Sequence, residues 1–254
     1  MTAMQSRYTS TVALVLALAG VGCERASATA AATPPIPATQ YIVGIDISGS
    51  RTPSQLQEER LVIEGLIGRM GPGDRIVLIE TYRSGVDSAG QWHDSIPAQR
   101  IPGTMTGRDK RNVDQFRVVA RQMASTFFDP SASGKVMSTD LFHTMHRAAD
   151  YAKAANGRQT TLVLLSDMLQ STREVNMERA GGVPGDAWTT ALKAGGRLPD
   201  LRNVCVFVVG ADATTRTGAR VRQFWQHYFE ATGATYRPEN YRNMVSDPGE
   251  IGCA

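Results

Sequence analysis

The sequence predicts an α/β domain built on a doubly wound, mostly parallel sheet with helices on both faces. Three observations carry that expectation. Apolar runs of strand length alternate with segments whose apolar residues recur at helical spacing. Two of the later runs are apolar throughout, as strands covered on both faces by helices are. Residues 41–254 also suit one core better than two.

The elements follow in order. Residues 41–47 (YIVGIDI) read as a buried strand, and residues 54–70 (SQLQEERLVIEGLIGRM) as a helix stopped by Gly71-Pro72-Gly73. A second strand is expected over 75–82 (RIVLIETY), and a short edge strand within 91–100. Two helices follow, over 109–128 and 139–155, separated by Asp129-Pro130 and a Ser/Gly stretch. Residues 160–166 (TTLVLLS) and 203–210 (NVCVFVVG) are the fully apolar strands, joined through a helix between Asp186 and Leu198. The last helix spans 217–232, with Val221, Phe224, Trp225, Tyr228 and Phe229 forming a core-facing stripe. A weak strand over 234–237 comes next, and Pro238 and Pro248 are expected to break the remainder, leaving no terminal helix. In such a sheet a binding crevice opens at the carboxyl ends of the strands, where the strand order reverses.

The first 23 residues differ from the rest. Arg7 precedes a short apolar run, 11–22 (TVALVLALAGVG), which ends at Cys23 and reads as an export signal, too short for a membrane span of ~20 residues. Gly20-Val21-Gly22-Cys23 resembles the lipobox of bacterial lipoproteins, although Gly20 stands where Leu is usual. That resemblance implies lipidation of Cys23 and a membrane anchor in the cell envelope, facing the periplasm or the cell surface. Cleavage after Ala28 is the competing outcome and would give a secreted protein. Residues 24–40, rich in Ala, Thr and Pro, read as a tether. Cys205 and Cys253 are the other cysteines. Cys205 reads as a small buried hydrophobe, and the sequence leaves open whether the two pair in an oxidising compartment.

A formal charge of +3 from scattered arginines gives no basic stripe, and Arg108, Lys110 and Arg111 carry no interleaved aromatic platform; nucleic acid is not an expected partner. The chemistry concentrates instead at Asp46-Ile47-Ser48-Gly49-Ser50, where one carboxylate and two hydroxyls emerge at the end of the first strand. Oxygen donors of this kind suit a hard divalent cation such as Mg²⁺ (or Mn²⁺ or Ca²⁺), and equally suit a strand-ending turn in which Asp and Ser cap local backbone donors.

Asp-x-Ser-x-Ser directly after the first strand resembles the opening signature of the metal-ion-dependent adhesion site of von Willebrand factor A (VWA) domains. Two further pieces match in order: Ser138-Thr139-Asp140-Leu141 before a helix, and Leu164-Leu165-Ser166-Asp167 after the next apolar strand. The resemblance implies a VWA-like, Rossmann-type three-layer fold. It also implies a cation met by Asp46, Ser48, Ser50 and Thr139, directly or through water, and by Asp167 mainly through water. A protein partner would offer the completing carboxylate. Gln170 and Arg173, close after Asp167, are candidate partner contacts, while Ser171-Thr172-Arg173-Glu174 resembles a helix-start capping arrangement.

Rival readings fit less well. Residues 43–50 also resemble the first phosphate loop of actin-like ATPases and sugar kinases, but that loop leads into β-hairpins and 54–70 is helical. A haloacid-dehalogenase-type phosphatase needs Asp where Ser48 stands. His143 and His146 could share a helix face but lack a third ligand, and no serine has hydrolase context. The expectation is therefore a non-enzymatic, cation-dependent binding module. The alternative is a metal-independent scaffold or assembly component of an envelope or mobile-element system.

Overall fold

A computed structural model describes residues 37–81, 90–129 and 138–253. The export segment with Cys23 and nearly all of the tether lie outside the described residues. So does the Ser/Gly stretch before Ser138. Six strands form one sheet in the order β3-β2-β1-β4-β5-β6: β1 (Thr39–Ile45), β2 (Arg75–Glu80), β3 (Gln91–Ser95), β4 (Gln159–Leu165), β5 (Val204–Val209) and β6 (Thr235–Arg242). All neighbours are parallel except β2 and β3, which run antiparallel. This is the doubly wound three-layer architecture expected from the alternating pattern, and its strand order reverses between β1 and β4.

Side chains alternate across each strand, so one strand feeds two cores. Ile42, Val77, Leu162, Leu164 and Val206 point to the face covered by α3 (Leu141–Lys153), α4 (Asp186–Ala194) and α5 (Arg216–Thr232). Val43, Ile45, Ile76, Leu78, Val163 and Phe207 point to the other, covered by α1 (Pro53–Arg69) and α2 (Gly107–Phe127). The expected stripe of α5 is buried, with Trp225 and Phe229 fully enclosed. Thr52 and Thr106 start α1 and α2 with reciprocal capping boxes, using Gln55 and Asp109.

Two expectations need correction, and the cysteine pairing that the sequence left open is answered. The sheet begins at Thr39, two residues inside the expected tether, because the Gln40 amide is buried and donates to the Tyr151 carbonyl at 3.0 Å. Pro238 does not end the last strand. β6 lies at the sheet edge, and a register shift between Val206 and Val208 lifts residues 237–240 out of the ladder, so Pro238 forfeits no hydrogen bond there. Cys205 is bonded to Cys253, with Cα atoms 5.7 Å apart. The segment after β6 contains a 3₁₀ turn (Pro248–Glu250) and returns across α1, burying Val245 and Ile251 in the second core. A Cβ at Gly65 would collide with the Pro248 ring, so this residue type permits the close crossing.

Candidate metal centre

Three loops meet at the carboxyl ends of β1 and β4. Asp46 follows β1 directly, and its amide continues the ladder to the Leu165 carbonyl at 2.9 Å. Ser166 and Asp167 follow β4, and Thr139 sits just before α3, whose N-cap is Asp140. Their side chains form one hydrogen-bonded chain. Asp46 Oδ1 accepts from the Ser48 amide at 2.9 Å and from the Thr139 hydroxyl at 3.4 Å. Ser48 and Ser50 hydroxyls lie 3.0 Å apart, and the Ser50 hydroxyl donates to Asp167 Oδ2 at 2.7 Å. The structure thus brings together all five residues singled out from the sequence, drawn from positions as far as 121 apart.

Burial grades across the cluster. Asp46 is wholly buried, Ser48 and Thr139 nearly so, Asp167 is half-buried and Ser50 is exposed. Burial first, and then the charge of Asp167, push the Asp46 carboxyl above its ordinary pKa, against the hydrogen bonds from Ser166 and Ser48. Neither carboxylate forms an ion pair with a described Lys or Arg. Two carboxylates and three hydroxyls are oxygen donors throughout, a set that fits Mg²⁺ or Mn²⁺. Among the described residues no group of three or more His, Cys, Asp and Glu is placed to hold a metal, so thiolate and imidazole coordination have no counterpart here.

Several supporting residues were not anticipated. Ser166 donates to Asp46 Oδ2 at 2.7 Å and accepts from the Met168 amide at 2.9 Å. Its signal lay in the same Leu-Leu-Ser-Asp run that marked Asp167, but strand alternation sends it to a different partner. Met168 adopts a left-handed backbone, φ 65°, costly for a bulky residue; Trp225 holds it by donating its indole N–H to the Met168 carbonyl at 2.7 Å.

Gln170 corrects another expectation. It is 1% exposed and is no surface contact: its Oε1 accepts from the Leu141 amide at 2.7 Å, and its amide nitrogen faces Asp140 and Thr172. With the Ser171 amide donating to the Thr139 carbonyl at 2.9 Å, and the Asp140 amide donating to the Thr81 carbonyl at 2.6 Å, Gln170 fixes the Thr139 loop. Residues 171–174 start no helix. They form a turn closed by an isolated bridge between Ser171 and Asn176, and Arg173 is exposed on it. His143 and His146 are exposed on α3.

Beside the cluster lies a second buried charge site. The Arg51 side chain, next to Ser50, is wholly enclosed and pairs with Glu59 of α1, while its Nη1 donates to the Gly210 carbonyl at 3.0 Å. Burial raises the Glu59 pKa and the Arg51 guanidinium opposes that rise.

No protein-family model matches the chain, and no curated protein sequence matches it. Solved structures do. An aerotolerance-related membrane protein from Bacteroides fragilis matches at 15% identity over 83% of this chain and 92% of its own, with a TM-score of 0.43. Proximal thread matrix protein 1 from the mussel byssus matches at 14% identity over 85% of this chain and 45% of its own, TM-score 0.42. A pilus adhesin, SpaC from Lactobacillus rhamnosus GG, matches at 12% identity over 86% of this chain and 30% of its own, TM-score 0.47. The chain therefore spans less than half of the latter two proteins. At this depth of similarity, function has to be argued from the residues themselves.

Proposed function

We propose that the protein is a cation-dependent binding module of the cell envelope, in which Asp46, Ser48, Ser50, Thr139 and Asp167 hold Mg²⁺ or Mn²⁺ and a protein partner supplies a further carboxylate. The observation that carries this reading is the connected cluster itself. Five oxygen-bearing side chains from three loops converge at the strand-order reversal, and the two carboxylates there form no ion pair with a described Lys or Arg. A divalent cation supplies the missing charge, and Mg²⁺ commonly binds few protein carboxylates, leaving positions for a partner. The graded burial supports the same reading, because exposed Ser50 lies on the side from which a partner would approach. In this reading the role is binding, and Ser50 and Ser166 serve it by donating their hydroxyls to Asp167 and Asp46.

An envelope location is in keeping with the Cys205–Cys253 disulfide, a bond favoured in oxidising compartments, and with the export and lipidation reading of residues 1–23. No helix of the described residues is long and apolar enough to cross a membrane. The test is calorimetric titration of the full chain with Mg²⁺ and Mn²⁺ beside an Asp46→Ala control. Saturable binding that vanishes in the variant is expected. Absence of heat, together with a melting temperature indifferent to both ions, would reject the cation reading and favour a metal-independent scaffold.

A further inference from the structure

We propose that Arg51, Glu59 and Gly210 act as one positioning unit that sets the shape of the Asp46–Ser50 loop, and with it the cation affinity of the site. The inference rests on the cation reading for its consequence but not for its geometry. A loop that must present two hydroxyls and an amide around a buried carboxylate needs rigid support, because ligand positions displaced by a fraction of an ångström no longer satisfy Mg²⁺, which tolerates little departure from octahedral geometry. Within the loop that support is thin. Asp46 holds the Ser48 amide, and the Arg51 amide donates to the Ser48 carbonyl at 3.0 Å; Gly49 and Ser50 are exposed.

The Arg51 side chain provides an external anchor. Its guanidinium leaves the loop inward, pairs with Glu59 one helix turn and more along α1, and donates to the Gly210 carbonyl at the end of β5. One residue thus ties the loop to the helix that follows it and to a strand two places away in the sheet. Arginine suits this task because its planar fork spans two acceptors from one rigid group, which a lysine ammonium on its flexible stem does not reproduce.

Gly210 is matched to the pair. It adopts φ +99°, and a Cβ there would run into both Glu59 Oε1 and the Arg51 guanidinium. Its amide is in turn held by the Arg242 and Asn243 carbonyls at 3.0 and 3.2 Å, so the acceptor that receives Arg51 is itself fixed. The space that a side chain would fill at position 210 is the space the ion pair occupies. Glu59 belongs to the same design: it lies on the buried face of α1 with Val62, Ile63 and Leu66, where a carboxylate is out of place unless a partner is built in.

The experiment compares wild type, Arg51→Lys and the double variant Arg51→Met/Glu59→Leu as full chains, with two readouts. The first needs no metal: amide hydrogen exchange at Ser48 and Arg51 against the β1 amides. Both variants are expected to exchange at least tenfold faster at the two loop amides, with β1 unchanged. The second is Mn²⁺ titration, where at least a tenfold loss of affinity is expected in both. The double variant replaces the pair by apolar volume and is expected to melt near the wild-type temperature, separating positioning from stability. If it fails to fold, Arg51→Lys alone decides. Loop amides that exchange at the wild-type rate in a folded variant overturn the proposal, as does undiminished Mn²⁺ affinity. A wild type that binds no Mn²⁺ while the loop amides still respond sinks the cation reading and leaves the positioning unit standing as a loop anchor.

Discussion

Two buried carboxylates lie close together in this protein and are treated in opposite ways. Glu59 is enclosed with its own cation, the Arg51 guanidinium, and the pair is closed off by apolar residues of α1 and the end of β5. Asp46 is enclosed as completely, yet its partners are hydroxyls and an amide, and the nearest charge invoked by its raised pKa is another carboxylate, Asp167. The first carboxylate has a guanidinium built in beside it and the second has none, although burial raises the pKa of both. Burial of charge thus takes two forms here, one beside a guanidinium and one among hydroxyls and an amide.

Removing each carboxylate should break the comparison most sharply. Glu59→Leu strands the buried Arg51 guanidinium without its carboxylate, and a loss of about 3–5 kcal/mol of stability is expected, the usual consequence of halving a buried pair. Asp46→Asn should do the reverse in the absence of cation. The amide oxygen still accepts from the Ser48 amide, the Ser166 hydroxyl can turn to accept from the new N–H, and the repulsion from Asp167 disappears. Stability equal to or above wild type is expected, with the Mn²⁺-dependent rise in melting temperature abolished. Chemical denaturation of the two variants with and without Mn²⁺ checks both signs, and an Asp46→Asn variant as damaged as Glu59→Leu would show that the sites are not different in kind.

The disulfide fastens the other end of β5, where Cys205 pairs in register with Thr235. Cys253→Ser releases a loop of 48 residues' separation and is expected to cost roughly 2–4 kcal/mol. Mn²⁺ affinity should stay within about twofold, because Arg51 and the Arg242 and Asn243 carbonyls hold the Gly210 end independently. A larger change would mean that the returning C-terminal segment, and not only the Arg51 pair, sets the loop.

The contrast also marks what could be read from sequence. The sheet and its helices were legible from continuous apolar runs and helical spacing, and Asp46, Ser48 and Ser50 from polar residues placed where a strand must end, whereas Thr139 and Asp167 were legible only through the resemblance to VWA domains. The Arg51–Glu59 pair was not, since it depends on the angle at which α1 crosses the sheet; its only trace was a charged residue on the apolar face that Val62, Ile63 and Leu66 define. Gln170 was misjudged for a related reason. Proximity to Asp167 in sequence suggested exposure, whereas the turn through Met168 directs its amide back under the Thr139 loop. Pro238 was misread, and the pairing of Cys205 was left open, because a strand's edge position and a chain's return path are tertiary facts.

Titration offers a finer test of the same difference. A carboxyl whose pKa is raised on folding binds its proton more tightly in the native state, so its contribution to stability is full below the ordinary carboxylate range and is lost as pH rises through the raised value. For Asp46 this predicts that cation-free protein loses stability with rising pH, and that Mg²⁺ restores it at the upper end by replacing the proton. Asp46→Asn should remove the Mg²⁺-restored part and leave the Glu59 contribution, which has the same sign. Thermal melts from the acid range to above the Glu59 pKa of about 8, with and without Mg²⁺, separate the two; identical slopes in wild type and Asp46→Asn would mean Asp46 is not the group that responds.

The smallest expected change in stability is the most informative about direction of approach. Ser50→Ala removes the hydroxyl that links Ser48 to Asp167, but Ser50 is exposed, so water can take its place and no more than about 1 kcal/mol should be lost. If that hydroxyl is a cation ligand on the partner-facing side, Mn²⁺ affinity should fall at least fivefold while the melting temperature of the cation-free protein barely moves. That separation contrasts with the single variant Glu59→Leu, where the stranded guanidinium lowers stability and disturbs the loop together. A Ser50→Ala variant that binds Mn²⁺ like wild type would place the ligands deeper, on Asp46, Ser48 and Thr139, and would leave Ser50 as a tie between two loops.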